Sequence, residues 1–408
     1  MTRPPATQRV VHVIDSLGLS GGAEQQMAVN LRRFSDRRLE HHVICLYTAE
    51  GRTRSSELPA HIPIRILFPT GERTRNRLKL ILRLYGVIRV MRPALIHCTL
   101  PDASLAARIS GILRNVPVIE SLVNISHEPV RQIDNPRVTG TKLALHRLVD
   151  RLTIRSVEHF HVLSEAVATS WAGAVGIPRE RMTVIPRGLE IRGSSLGRAW
   201  TRSELLEDLG LPGDSFVILN VGRQVAQKGQ LYALRALPSI LKRVPRAVFL
   251  SAGSEGGMTM SLRAESERLG LADRAIWLGV RDDIRSLMPA ADVFVFPSLY
   301  EGLGVSLLEA MAAGLAVVVT DVPPMNELVE QGKTGMLVPP RDPEAIARAV
   351  RTLAMDEDLR RALGNLARAH VIANFDAEDT ARRLEALYLD VLGFSTRADP
   401  EGVGSVDD

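Results

Sequence analysis

Short apolar runs alternate along the chain with longer stretches in which apolar residues return every three or four positions. The runs are rich in Val, Ile and Leu and read as strands buried on both faces. In the first half they are Val10–Ile14, His42–Tyr47, Ile62–Leu67, Ala94–Thr99, Val116–Leu122, Phe160–Leu163 and Met182–Ile185. In the second half they are Phe216–Val221, Ala247–Ala252, Ala275–Leu278, Asp292–Pro297, Ala316–Thr320 and a short run after Gly335. The helical period predicts helices over Ala23–Leu31, Asp102–Leu113, Leu143–Val157, Val305–Ala313, Asp342–Ala354, Leu359–Asn374 and Ala377–Leu392. Strand–helix alternation in both halves predicts an α/β protein with two parallel sheets, each covered by helices on both faces. The alternation lapses at the polar segment Arg192–Gly197. That segment predicts a first domain over 1–191, a linker over 192–199, a second domain over 200–376 and a disordered tail over 394–408.

One stretch carries both apolar and basic signals. Arg73–Arg92 predicts an amphipathic helix with Leu78, Leu82, Tyr85 and Ile88 or Arg89 at helical spacing and Arg73, Arg75, Arg77, Lys79 and Arg83 loading one end. Such a helix either covers an α/β sheet with a solvated basic face or lies on an anionic membrane surface. In the predicted helix 143–157, Arg147, Arg151 and Arg155 share one face by four-residue spacing.

Composition narrows the class. A content of 45% hydrophobic and 24% charged residues is that of a globular protein, and no apolar run reaches the length of a membrane span. The amino-terminal segment lacks the apolar core and cleavage site of a signal peptide, so the expected compartment is the cytoplasm, with a peripheral position on the membrane as the extension. Cys45 and Cys98 lie in apolar runs and read as buried thiols, outside any disulfide framework or metal cluster. Charge is uneven: residues 1–195 hold 28 Lys and Arg against 16 Asp and Glu, whereas residues 196–408 hold 23 against 30. A basic first half points to an anionic partner there, either a lipid surface or a phosphorylated acceptor. With 4% aromatic residues and no recognised binding motif, nucleic acid is not the expected partner.

The candidate chemistry centres on Leu299–Thr320. An apolar strand enters a turn holding Glu301, Gly302 and Gly304, and a Leu- and Ala-rich helix follows. The turn delivers backbone N–H groups at a helix amino end, and the glycines let an anion approach closely. A carboxylate beside a phosphate site addresses something else, and hydroxyls of sugar rings suit it. Glu309 then reads as a ribose acceptor and Glu301 as a contact to a transferred sugar; the alternative is a surface carboxylate and a helix-dipole partner. A second loop opens after Phe216–Val221, where Gly222-Arg223 and Lys228-Gly229 bracket two cations at a strand's carboxyl end. Arginine offers a planar fork to phosphate oxygens and lysine a point charge. In the first half, Asn124, Ser126, His127 and Glu128 follow the fifth strand, where such sheets place ligands. The Gly332-Lys-Thr turn lacks the spacing and preceding strand of a phosphate-binding loop.

GGAE at Gly21–Glu24, GR and KG at Gly222–Gly229, EGLGVSLLEAMAAG at Glu301–Gly314 and TGMLVPPRDPEAIARAV at Thr334–Val350 occur in that order. Together they resemble the retaining glycosyltransferases of family 4, also called glycosyl transferases group 1, over residues 8 to 392. The resemblance implies the GT-B fold: two Rossmann-like domains across a cleft, with Ala377–Leu392 crossing back to the first. It implies a nucleotide-diphosphate sugar donor, UDP- or GDP-linked, and no metal or other cofactor. Arg223 and Lys228 would neutralise the diphosphate, Glu301 would touch the donor sugar and Glu309 would hold the ribose. Backbone amides of Leu303, Gly304, Val305 and Ser306, with Gly222 and Gly302, would add donor contacts. Gly22 would approach from the other domain, and residues near Val280 would receive the base. The expected acceptor is a lipid-linked glycan, polysaccharide or glycolipid, with a small soluble molecule as the alternative. A non-catalytic sugar-nucleotide-binding subunit and a sugar-nucleotide epimerase are further alternatives. Three departures stand out: Val123 takes the place of a common histidine, leaving Asn124 or His127 for that role; Arg187 replaces the asparagine of a Pro-Asn-Gly turn; and Pro323-Pro324 replace glycines before Glu327.

Overall fold

The structure is a computed structural model and describes residues 7–17, 22–47, 58–69, 76–125, 127, 139–190 and 198–394. Residues 192–197 of the expected 192–199 linker, residues 395–408 of the expected 394–408 tail and the basic residues Arg73 and Arg75 lie outside the described residues, whereas Phe394, expected in the tail, packs against the first-domain core.

The first sheet has seven parallel strands: β1 (Gln8–Ser16), β2 (Leu39–Tyr47), β3 (Ile64–Phe68), β4 (Leu95–Thr99), β5 (Val118–Leu122), β6 (His159–Val162) and β7 (Met182–Val184). Their spatial order is β3-β2-β1-β4-β5-β6-β7. The second sheet holds β8 (Phe216–Val221), β9 (Ala247–Ala252), β10 (Ala275–Gly279), β11 (Val293–Phe296), β12 (Ala316–Thr320) and β13 (Met336–Val338), in the order β10-β9-β8-β11-β12-β13. Both sheets are parallel throughout, as the continuous apolar runs require. In each, the strand order reverses once, between β1 and β4 and between β8 and β11. Parallel sheets place ligands outside the carboxyl ends of strands at such a reversal.

Helices cover both faces, and capping sets several of their starts. Asn76, Ser164 and Asp342 each accept a backbone N–H from the residue three positions on. The last helix, Ala377–Val391, packs on the first sheet, with Leu384 and Tyr388 buried against Val10 and Leu95. The chain therefore returns to the first sheet after building the second.

The basic helix spans Arg77–Met91 and turns differently from the expectation. Leu80, Leu84 and Ile88 face the core, whereas Leu78 and Leu82 are 64% and 60% exposed. Two apolar stripes share this helix, and the one that meets Phe68, Ile96 and Ala103 is the buried one. Both cysteines are buried and free, and burial raises both thiols, Cys45 to about 11, which disfavours the reactive thiolate.

Candidate active site

The reversal of the second sheet gathers the predicted second-half residues. Gly222 and Arg223 leave β8, and Glu301–Gly304 leave β11, which is hydrogen-bonded to it. The helix Val305–Ala312 begins at Gly304, whose φ of 85° is open to glycine and costly for a side chain. The first N–H groups of that helix, from Val305 and Ser306, have no intrahelical partner. Ser306 Oγ donates to Val221 O at 3.1 Å, tying the helix start to the end of β8. Leu303 is buried beneath the turn in the second-domain core.

Charge at this point is paired. Lys228 Nζ lies 2.6 Å from Glu301 Oε1 and 5.4 Å from the centre of the Phe296 ring. Gln227 Nε2 donates to Tyr300 O at 2.9 Å and reaches Glu301 Oε2 at 3.3 Å. The carboxylate of Glu301 is thus buried and fully engaged in orienting Lys228. Glu309 is held by Arg285, whose Nε and Nη2 both address Oε1, at 2.7 and 2.6 Å. Its Oε2 makes no hydrogen bond among the described residues. Arg223 is exposed and has no ion pair among the described residues.

Val280 stands apart from this cluster. It is exposed at the end of β10, the edge strand, while the tops of β10, β9 and β8 are linked through Gly279, Gly253 and Gly222. Arg285 follows Val280 in the chain and contacts Glu309 at the helix.

The first domain closes over the turn. A Cβ on Gly302 would lie 2.0 Å from Val123 O and 3.3 Å from Asn124 Cα, so only glycine admits this approach. Ser164 Oγ donates to Gly302 O at 3.0 Å. Glu327 accepts the N–H groups of Glu165 and Ala166 at 3.1 and 2.7 Å, bridging to the helix Glu165–Val175 of the first domain. Tyr300 packs into a first-domain cluster and Leu163 into the second-domain core. The two domains meet directly beside the reacting-site candidates.

On the acceptor side, Asn124 turns its Oδ1 to the N–H of Ile125, and its carbonyl accepts from Trp171 Nε1 at 2.9 Å. His127 is not a solvated loop residue. It is buried edge-on against Trp171, with Nε2 3.1 Å from Asp150 Oδ2. Asp150 also takes Arg108 at 2.6 Å, and Arg108 forks onto Glu120 with two bonds of 2.7 Å. Ser126 and Glu128 lie outside the described residues.

Sequence reasoning passed over Gln227, Arg285 and Glu327. Gln227 adjoins Lys228 in the same glycine-bracketed loop. Arg285 and Glu327 carry no local signal, because their partners are distant in the chain. Among the described residues no group of three or more His, Cys, Asp or Glu side chains is placed to hold a metal ion.

Two parallel α/β domains face to face, with glycine turns, a helix amino end and paired cations at their mouths, define the GT-B class. Residues 201–370 match the family described as Glycosyl transferases group 1, and residues 20–192 match Glycosyltransferase Family 4. The alpha-D-kanosaminyltransferase of Streptomyces kanamyceticus is 34% identical over 290 residues, covering 70% of this chain and 73% of that protein. The UDP-Gal:alpha-D-GlcNAc-diphosphoundecaprenol alpha-1,3-galactosyltransferase of Escherichia coli is 24% identical over 320 residues, 77% of this chain and 80% of its own length. A glycosyltransferase of Methanocaldococcus jannaschii is 31% identical over 248 residues, 60% of this chain and 63% of its own length. Among solved structures, Anabaena HepE in complex with UDP and glucose has a TM-score of 0.78 at 23% identity, covering 93% of this chain and 99% of that one, a likeness of fold. The chain belongs to the glycosyl transferases group 1 of family 4, and is a glycosyltransferase.

Proposed function

We propose that the protein moves a sugar, with retention at the anomeric carbon and without metal, from a nucleotide-diphosphate sugar to a hydroxyl of a lipid-linked glycan or glycolipid. The observation that carries the donor side is the convergence of Arg223, the Lys228–Glu301 pair and the free N–H groups of Val305 and Ser306 at one sheet reversal. Cations and helix amides fixed there stabilise the negative charge that grows on a departing diphosphate. Glu309, oriented by Arg285, keeps Oε2 for ribose hydroxyls, and residues near Val280 receive the base. In the step itself the bond between the anomeric carbon and the diphosphate oxygen breaks, and the oxygen leaves with the electron pair. The acceptor oxygen bonds to the anomeric carbon from the same face, and its proton passes to the departing diphosphate oxygen. No protein base is required, in keeping with Val123 where relatives carry a histidine.

A lipid-borne acceptor is supported by the surface of the first domain. On the helix Gly140–Thr153, Leu145, Leu148 and Leu152 fall on one exposed face with exposed Arg151 beside them, while Arg147 turns inward and donates to His127 O at 2.6 Å. The helix Arg77–Met91 adds exposed Leu78 and Leu82, and its Arg77 lines the same cavity as His146. Exposed leucines beside an exposed arginine suit an anionic bilayer surface. No helix among the described residues is long and apolar enough to cross a membrane. A second reading, a small polar acceptor, is favoured by a cavity of about 200 Å³ behind β5, lined by Arg108, Glu120, His127, Asp150 and Trp171.

The donor assignment is tested by isothermal calorimetry with the nucleotide that binds the native protein. Lys228→Ala and Glu309→Ala each weaken that binding about tenfold, the worth of one charge-assisted hydrogen bond. Unchanged affinity in both folded variants refutes the assignment.

A further inference from the structure

Arg187 leaves the carboxyl end of β7 and runs across the mouth of the first sheet to the amino end of the helix Gly22–Arg33. A Cβ built on Gly22 would lie 2.0 Å from Arg187 Nη1, so the guanidinium rests on the bare glycine. The guanidinium makes no hydrogen bond and no ion pair within 4 Å among the described residues, and its Nε is sealed from solvent. Glu24, in the first turn of that helix, and Glu301, across the cleft, are the carboxylates that act on it at longer range. Glu24 is itself occupied by Ser16 Oγ at 3.1 Å, and Glu301 by Lys228 at 2.6 Å. Burial lowers the guanidinium's pKa to about 10, with the two carboxylates opposing the shift.

This arrangement is unfavourable as it stands. A half-buried guanidinium whose sealed Nε has no partner is held at a cost, and a helix amino end adds partial positive charge beside it. An anion between the guanidinium and the helix amides would relieve both. We propose that Arg187 and the amino end of the helix Gly22–Arg33 form a phosphate site, through which the first domain seats the donor's diphosphate opposite Arg223 and Lys228. The proposal rests on the nucleotide-sugar reading and extends it to a residue that stands where relatives carry an asparagine. It gives each domain its own grip on the leaving group: Arg223 and Lys228 from the second, Arg187 from the first. Glu301 lies between the two grips, so a bound diphosphate draws the domains onto one charge. The planar fork of arginine suits the several oxygens of a diphosphate in a way that asparagine, a neutral amide, does not.

Calorimetric titration of the full chain with UDP, inorganic pyrophosphate and uridine tests the proposal. Arg187→Ala is expected to weaken UDP and pyrophosphate about tenfold or more, with uridine affinity unchanged. The melting temperature of the unliganded variant stays level or rises, because an unpaired half-buried charge is gone. Gly22→Ala, which pushes the guanidinium aside without removing it, weakens the same two ligands, and Arg187→Lys falls between wild type and Arg187→Ala. Native pyrophosphate and UDP affinities in Arg187→Ala, or a collapse of its melting temperature without ligand, overturn the proposal. Inorganic phosphate titrated onto the UDP-saturated protein separates the sources. If Arg187→Ala weakens phosphate and spares UDP, the site serves an acceptor phosphate, and the donor assignment is wrong. Failure of the native protein to bind UDP and pyrophosphate at all strikes the nucleotide-sugar reading itself.

Discussion

Lys228 and Glu301 act as one unit. The 2.6 Å pair fixes the ammonium over Phe296 and beside the helix amino end, at the cost of a buried carboxylate that, among the described residues, Lys228 and Gln227 satisfy. Removing the lysine therefore does two things. Lys228→Ala weakens the donor and also leaves Glu301 uncompensated, so its melting temperature falls as well; Lys228→Ala combined with Glu301→Gln recovers stability but not donor affinity, a split that thermal melts and calorimetry read separately. Behind β5 the same rule applies more strongly. Arg108 is almost wholly buried between Glu120 and Asp150, and Arg108→Ala is expected to cost about 3–5 kcal/mol in a denaturant melt. The individual cations and carboxylates at strand ends were legible in the sequence, because glycines bracket them at a predictable place in a parallel sheet. Their pairings were not: Glu309 looks free until Arg285, far away in the chain, is folded against it.

At the scale of elements, alternation of period and the glycine turns made both sheets legible, strand by strand, with ends displaced by up to three residues. The orientation of the helix Arg77–Met91 was not legible, since two leucine stripes compete on it and only packing against β3, β4 and the helix Pro101–Arg114 chooses between them. The outward stripe, together with Leu145, Leu148 and Leu152, belongs to the membrane reading. In sedimentation with vesicles containing phosphatidylglycerol, native protein is expected to co-sediment at low salt and release as salt rises. Leu145→Ser combined with Leu148→Ser reduces the bound fraction several-fold at constant salt. Equal binding by the variant, or none by the native protein, removes this face as a lipid contact.

Across the whole molecule, the last helix is tied into the first domain through a buried polar chain. Tyr388 OH lies 2.6 Å from His97 Nδ1, His97 Nε2 lies 2.7 Å from Ser121 Oγ, and Ser121 meets His161 at 2.7 Å. Burial first, then neighbouring imidazole charge, lowers His97 to about 3; burial lowers His161 to about 4. Both are neutral in the folded protein, whereas in the unfolded chain they take protons near pH 6.5. Their contribution to stability is therefore complete above pH 6.5 and is lost as pH falls through about 4 and 3. Each steepens the loss by about 1.4 kcal/mol per pH unit in that window. Denaturant melts between pH 7 and 4 check this, and His97→Gln is expected to flatten the slope. The sequence showed these histidines only as members of apolar runs, because a ladder across three strands and a helix from the far end of the chain exists only once the sheet is formed.

The central claim is that the cleft between the two domains holds a nucleotide-diphosphate sugar without metal. Calorimetric titration of the native protein with UDP, GDP, ADP and dTDP in the presence of EDTA tests it most directly. The account predicts one-to-one binding of one of these nucleotides, with the corresponding nucleoside binding far more weakly because the cations act on the diphosphate. Absence of binding by all four in a folded sample, or binding that appears only when a divalent metal is restored, would contradict it.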